Sequence, residues 1–570
     1  MLGSKLQALD IPSDGASITS VKIDIDPDDG LRTWTVVFKE RTSSAANVQK
    51  QQAPPPQTVL PPPAPADEVF PIAAEHITNL KVPKLGPALC PADPLYNLRM
   101  DRIFPLQCQV QTYAWGKLGE GSLVGRLAAS GLDDFELNQG TPYSELWMGT
   151  HPSGPSMVTL SAPWRTVTPL SEWIKLNPSL LGPRRLPSQT NLQKTASIRA
   201  HTLPFLFKIL SVRTALSIQA HPDKALARSL HFKQPTYYKD DNHKPEMAVA
   251  ITPFEALCSF QPVFMILANC RATPELVELV GEFHISSLES AAAERAAATN
   301  ATANAEHAAR VDELRTRLKA ALRAVFEALM TAPADRVANQ LNALVKRVQS
   351  TNEMLRAPID VVAMRLHEQY PGDVGVFCIY LLNYQRLKPG EALFLAANEP
   401  HAYISGDCAE VMATSDNVVR AGLTPKWKDV ETLCSMLTYN DGAPSMVPAK
   451  SRGPYVWNYS PPEGCGVDEF TLDRIEVGNH DCPGSTATLP ASKGLAIFII
   501  VNGTASVEQI NDETDEAVGL MSCVGAGAIH LICPHTVLRI KAQQTPLLAF
   551  RATAKIQAET QEARTGQTAA

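Results

Sequence analysis

The 570-residue sequence contains no run of about 18 apolar residues, the length that a membrane-crossing helix needs. Its first ten residues, Met1 to Asp10, lack the apolar stretch of a signal peptide. None of its 11 cysteines forms a C-x-x-C pair, and the odd count reads as reduced thiols, not a disulfide framework. It also lacks an excess of positive charge. With 51 Lys+Arg against 58 Asp+Glu the net charge is -7, without the broad basic footprint that holds a phosphate backbone. These absences set aside membrane-spanning, disulfide-stapled and nucleic-acid-binding classes, and the expectation is a cytoplasmic protein. What remains is 45% hydrophobic residues, enough for sizeable cores, spread over three or four units of about 100–200 residues.

The chain changes texture along its length. Residues 1–97 are proline-dense, with Pro54–Pro56 and Pro61–Pro63 giving the stiffness of a polyproline-like linker, and read as a largely disordered extension. One hairpin is predicted inside it: Val21, Ile23 and Ile25 alternate, as do Trp34, Val36 and Phe38, around Asp29-Gly30. Short strand-like runs then cover 98–263. From 264 the period changes: Val311, Leu314, Leu318, Leu322, Val325 and Leu329 form one helical stripe, and Val337, Leu341, Leu344 and Val348 another. Thr273-Pro274 is a helix start and Gly281 a stop. After Pro371-Gly372 the strand pattern returns, at Gly375–Leu382, Ala392–Ala396 and Val411–Ala413. Further strands follow at Gly494–Val501, Ala528–Cys533, Val537–Ile540 and Leu547–Arg551. The fold class is therefore mainly β, with two jelly-roll domains and an α-helical insertion. The first β domain spans 98–263 and 372–430, the helical insertion 264–371 and the second β domain 431–560, with a tail at 561–570.

Three segments put polar residues where strands should be apolar. In Leu216–Pro222, Ser217, Gln219 and His221 share one face because side chains alternate along a strand. In Tyr238–Ile251, Lys244 and Glu246 are again two apart, with Glu246 opening an apolar strand. In Glu399–Tyr403, His401 and Tyr403 pair the same way. In a closed barrel such a face looks either outward to water or inward to a functional cavity. Gln219, His221, Glu246 and His401 together offer two imidazoles, a carboxylate and an amide oxygen, a donor set suited to zinc. On spacing alone each histidine reads equally as a hydrogen-bonded core residue. The run Gly406–Lys426 adds Glu410, Arg420 and Lys426; it reads either as a structured loop, with Ser415-Asp416-Asn417 capping its own backbone, or as a face for an anion.

At these segments the sequence resembles the type I mannose-6-phosphate isomerases (phosphomannose isomerases) of the cupin superfamily. The resemblance rests on Tyr238–Glu246, with its Asn-His-Lys-Pro-Glu core, and on His401–Lys426. Gln111–Gly116, Tyr143–His151, Leu203–Leu210 and Ala215–Lys224 support it. It implies one zinc per chain, held by Gln219, His221, Glu246 and His401. It places the active-site arginine at Arg420, and acid/base or substrate positions at Glu410, Lys244 and Lys426. It places Lys208, Ser217, Tyr403 and Trp115 along the pocket. Ala409 departs from the larger branched residue usual there, and Pro183–Ala200 has no counterpart.

The implied reaction interconverts mannose 6-phosphate and fructose 6-phosphate through an enediol(ate), in a monomer that supplies GDP-mannose synthesis. Glu410 is the expected general base, with a zinc-bound hydroxide or a lysine-assisted relay as the alternative, and Lys208 and Lys244 are the expected phosphate cations. Two other classes fit parts of the pattern. An iron-dependent cupin oxygenase would use two His and a carboxylate but has no use for Gln219 or the lysines. A non-catalytic sugar-phosphate-binding cupin has no need to keep Arg420 and Glu410.

Overall fold

A computed structural model describes residues 17–25, 32–39, 78–82, 102–160, 167–182, 201–299, 305–478, 481–511, 514 and 516–555. The proline clusters at 54–63, the 183–200 insertion and the 561–570 tail lie outside them. The chain divides into two units, Met1–Met100 and Asp101–Ala570. In the first, Ser17–Ile25 pairs antiparallel with Arg32–Lys39, which pairs in turn with Thr78–Val82. The first two strands are the hairpin expected from alternation; the third has no comparable signal.

The larger unit is organised around one 13-residue strand, His401–Ala413. Its first half pairs with Phe254–Phe260 and, at His401, with Ile218–Ala220. Its second half pairs with Phe205–Val212 on one side and Glu246–Ala250 on the other. One strand thus serves two sheet faces, the usual way to turn the corner of an orthogonal β packing. The turn is made at Gly406, whose φ is +109°. A Cβ there would lie 2.4 Å from the Pro253 carbonyl oxygen, so only glycine fits. The corner also flips the alternation. Before it Ala402 and Ile404 pack against the helical domain, and after it Ala409 and Val411 pack against the C-terminal domain. His401, Tyr403, Cys408, Glu410 and Met412 are left for the interior.

Phe205, Phe207, Ile209, Met247 and Val249 form the outer face of this barrel. They share a core with Leu472, Ile497, Ile499, Leu531 and Phe550 of the C-terminal sheet. That nine-stranded sheet also takes up Ile103–Gln107, Met157–Thr159 and Val167–Pro169 from the early part of the chain. Its other face closes on a four-stranded sheet over Val456, Ile475, Phe498, Ile500, Val507, Leu538 and Ile540. The space between the two sheets of the second jelly roll is therefore filled with apolar side chains, and its buried charges are centred on the Arg551–Asp473 pair, 2.7 Å apart.

The helical block runs through Val263–Ala272, Pro274–Val280, Glu282–Thr299, Ala305–Met330, Ala334–Ser350 and Pro358–Gln369. Leu314, Leu318, Leu322, Val325 and Leu329 are buried, as are Val337, Leu341, Leu344 and Val348. Thr273 occupies the expected helix start, but its side chain makes no capping bond.

One expected strand is corrected. Gly375–Leu382 is not a strand: Gly375–Cys378 forms a helical turn, and the strand begins at Leu382. Val376 through Leu382 are all buried. A segment covered on every side shows no polar period, so alternation cannot separate the two conformations. The Asp373 carboxylate accepts the Gly375 N–H at 2.7 Å and starts the turn. The run from Leu216 to His221 also shortens, with regular pairing only at Ile218–Ala220.

Gly406→Ala is expected to cost roughly 2–4 kcal/mol, because alanine meets both an unfavourable φ and a backbone collision. Comparison of urea midpoints with the parent protein measures this; a loss below about 0.5 kcal/mol would mean that the corner relaxes freely.

Candidate metal centre and active site

Inside the barrel, polar side chains occupy successive rungs. Across the sheet Leu206, Met412 and Glu246 lie in register, and the next rung holds Trp147, Lys208, Glu410 and Ala248. Opposed residues in a ladder point the same way, so Glu246 and Glu410 are diagonal neighbours on the inner face. At the mouth Gln219 stands opposite both His401 and Arg420. This places His401, Gln219 and Arg420 in one row.

Three of the four expected ligands converge. His221 Nε2 lies 3.3 Å from Glu246 Oε1, and His401 Nε2 lies 3.3 Å from Oε2. All three residues are buried, and their donor atoms fall within 4.8 Å of one another. The outer nitrogens fix the tautomers. His221 Nδ1 faces the Asn417 carbonyl at 2.7 Å, and His401 Nδ1 faces the Glu399 carbonyl at 3.1 Å. A carbonyl only accepts, so each Nδ1 carries the proton and each Nε2 presents a lone pair. Neither Nε2 has a hydrogen-bond partner. The 3.3 Å approaches are therefore acceptor facing acceptor, not donated bonds. Burial, together with the nearby Lys244 ammonium, pushes His221 down to about 4, which keeps it neutral at pH 7. Burial alone would raise the Glu246 carboxyl; Lys244 and the two imidazoles outweigh it and hold Glu246 well below its ordinary range. Buried lone pairs converging on a carboxylate, each ring held from behind by a carbonyl, form the arrangement that a divalent cation satisfies. Gln219, the fourth expected ligand, stands opposite His401 in the ladder.

A second buried cluster lies one rung away. The Lys208 ammonium is 3.0 Å from Glu410 Oε2 and 3.6 Å from Glu145 Oε2. The Tyr403 hydroxyl donates to Glu410 Oε1 at 2.7 Å. Trp147 donates its indole N–H to Glu145, and Lys208 sits over the Trp147 ring at 5.4 Å. Burial pushes the Glu410 carboxyl up, opposed by Lys208 and reinforced by the charges of Glu246 and Glu145. Burial opposes the charge on Lys208, but Glu145 and Glu410 override it and raise its pKa. Glu410 is thus a carboxylate of enhanced basicity with a proton-bearing partner on each oxygen.

The two expected phosphate cations, Lys208 and Lys244, both stand against carboxylates: Lys208 meets Glu145 and Glu410, and the Lys244 ammonium lies 3.1 Å from Glu246 Oε1. By contrast, Arg420 is half-buried, and among the described residues no carboxylate or hydrogen-bond acceptor stands against its guanidinium. Burial lowers the pKa of Arg420; for the exposed Lys426, burial and the neighbouring Arg420 do the same. Two adjacent cations without a counterion form a prepared anion site. Trp115 is half-buried against the far end of the barrel interior, stacked on Tyr113 with ring centroids 6.0 Å apart. Ser217 is half-buried beside the Gln219 row.

Sequence reasoning quoted Glu145 and Trp147 as part of a motif but gave them no role. The signal was present: in Glu145–Met148 every residue is buried, so a carboxylate there must face an interior partner. Asn417 also differs from its reading. Its side chain does not cap its own turn but donates to the carbonyls of Asp240 and Asn242, at 2.7 and 2.9 Å. This ties the His221 support to the segment that leads to Glu246.

With this geometry in place, comparisons with known proteins are specific. Residues 103–263 match the family described as phosphomannose isomerase type I, catalytic domain, and residues 294–382 match its helical insertion domain. Mannose-6-phosphate isomerase from Bos taurus is 43% identical over 415 residues, covering 71% of this chain and 88% of the relative. Mannose-6-phosphate isomerase 1 from Arabidopsis thaliana is 42% identical over 403 residues, covering 70% and 84%. Among solved structures, a point mutant of phosphomannose isomerase from Salmonella typhimurium superposes with TM-score 0.59 at 26% identity, over 80% of this chain and 100% of that one. A mannose 6-phosphate isomerase bound with zinc and yttrium gives TM-score 0.58 at the same identity and coverage.

Lys208→Met strands two buried carboxylates and is expected to cost about 3–5 kcal/mol at pH 7.5. Without the ammonium, burial and the neighbouring carboxylates raise the Glu410 carboxyl further above its unfolded value. The folded variant then binds extra protons, and its stability falls as pH rises. Denaturation at pH 5.5 and 7.5 should show a smaller deficit at the lower pH; a deficit that ignores pH would refute carboxylate crowding.

Proposed function

The chain belongs to the type I phosphomannose isomerase family and is a mannose-6-phosphate isomerase, and from that premise we propose that it works as a zinc enzyme with one ion per chain. The observation that carries this reading is the pair of buried, unprotonated Nε2 atoms of His221 and His401 converging on the Glu246 carboxylate. Their chemistry suits zinc, and the zinc bound in one structural relative agrees. The ligands are His221, Glu246 and His401, with Gln219 as the fourth.

When bound, the ion supplies a Lewis acid at the sugar's reacting carbonyl. The remaining work belongs to side chains. Lys426 at the mouth takes the phosphate, and Arg420, deeper in the same row, orients the open-chain sugar and meets the developing oxyanion charge. Glu410 removes the proton from one of C1 and C2 and returns it to the other. Lys208 and the Tyr403 hydroxyl stabilise its ionised form before transfer, and the Lys208 ammonium, itself held by Glu145, offsets the negative charge in the cavity. Trp147 closes the cavity wall and keeps Lys208 from water. Ser217 and Trp115 frame the pocket, and Lys244 keeps Glu246 ionised. The product pair is D-mannose 6-phosphate and D-fructose 6-phosphate. We place the activity in the cytoplasm, in a monomer that supplies mannose 6-phosphate for GDP-mannose synthesis and glycosylation; free buried thiols such as Cys108, Cys258 and Cys408 suit a reducing compartment.

His401→Ala is expected to lose bound zinc and isomerase activity together, read by elemental analysis and a coupled assay on mannose 6-phosphate with and without chelator. A variant that stays active without metal would overturn the ligand assignment. Arg420→Ala should keep its zinc while kcat falls by about 100- to 1000-fold. A change confined to KM would move Arg420 to ground-state binding.

A further inference from the structure

The second jelly roll has an apolar core between its sheets and no metal-type cluster among its described residues. It nevertheless sends one carboxylate to the other domain. Glu469 Oε1 accepts from His243 Nε2 at 2.7 Å and from Lys224 Nζ at 2.9 Å. Glu469 and His243 are largely buried; Lys224 is half-exposed. The position of Glu469 is fixed by its neighbours, since Val467 and Phe470 on either side are part of the core shared by the two domains. Burial alone would raise the Glu469 carboxyl, but His243 and Lys224 hold it at about 2, so it is ionised at any working pH.

The two partners occupy matched places. Lys224 comes three residues after the ligand His221, in His221-Pro222-Asp223-Lys224, and His243 comes three residues before the ligand Glu246, in His243-Lys244-Pro245-Glu246. Each link contains a proline, which fixes its own φ and restricts the residue before it, so both links are stiff. Asp223 caps the helix that begins at Lys224 through the N–H groups of Ala225 and Leu226, both at 2.9 Å. Pro245 is anchored by its carbonyl, which accepts the Ala413 N–H at 3.1 Å. Short, stiff links thus join each contact of Glu469 to a ligand position.

We propose that Glu469 is a positioning residue for the metal centre: one carboxylate of the C-terminal domain pins the segment leaving His221 to the segment entering Glu246. This rests on the zinc-isomerase reading above and gives the second jelly roll a part in it. Removing the clamp leaves every ligand present but lets two of them drift.

The test uses the full-length protein, with zinc affinity by chelator competition, the melting temperature of the metal-free form and kcat at saturating zinc. Glu469→Ala should weaken zinc binding about 10-fold or more, the scale of lost outer-sphere support, with kcat restored to near the parent value once zinc saturates. Glu469→Gln keeps the shape and one acceptor but not the charge, and should give a smaller loss; it also serves if the alanine variant fails to fold. The pair Glu469→Ala with His243→Ala should be no worse than the weaker-binding single variant, since both remove the same contact. A lower melting temperature with zinc affinity unchanged within twofold would overturn the proposal and reduce Glu469 to an interdomain clamp. Absence of zinc binding or isomerase activity in the parent protein would overturn the function reading instead, and the two failures cannot be confused.

Discussion

Two imidazole nitrogens without protons, facing one carboxylate in a buried interior, set the terms for the rest of this molecule. Each buried acceptor left unmet costs about 1–3 kcal/mol, and at His221, His401 and Glu246 the acceptors point at one another. The surrounding structure keeps them in that state. The Asn417 and Glu399 carbonyls hold the protons on the Nδ1 atoms, and Lys244 keeps Glu246 ionised. Such a centre persists only on a scaffold that does not yield. The barrel meets that need by sharing one apolar core with the helical domain and another with the C-terminal domain.

The Glu145–Lys208–Glu410 cluster shows the same economy of charge. Its two carboxylates and one ammonium, with hydrogen bonds from Tyr403 and Trp147, are all buried within one barrel wall. Buried ion pairs seldom add net stability, so their retention is better understood through what they do to proton affinity. Here the Glu410 carboxyl is raised while its partners supply donors. The mouth is arranged oppositely: Arg420 and Lys426 are cations without a protein counterion, where an anionic group of the substrate can complete the balance. Interior charge is matched within the protein, and mouth charge is left for the ligand.

The helical stripe from Leu314 to Leu329 was legible because one face is buried and the other wet, so the 3.6-residue period survives in the composition. Gly375–Leu382 was misread for the complementary reason, since full burial erases the period. Polar residues inside apolar strands pointed to His221, Glu246 and His401, which the fold brings together, because a buried polar group needs a partner wherever the fold places it. The same signal at Glu145 went unused. Glu469 carried no signal at all; the acidic pair Asp468-Glu469 before an apolar strand looks like ordinary surface until His243 and Lys224 are seen against Glu469.

By itself the sequence determined which residues face inward, which stretches are strand or helix, and, through two long motifs, which family of barrels the chain joins. These are local properties, written in alternation and side-chain chemistry. Tertiary structure alone decided that Lys208 meets Glu145 and Glu410, that Arg420 and Lys426 stand without counterions among the described residues, and that Glu469 of the second domain reaches His243 and Lys224. Such pairings depend on distances between residues as far apart in the chain as His243 and Glu469. They are set by how the sheets turn at Gly406 and pack through their shared cores, and no local pattern records that.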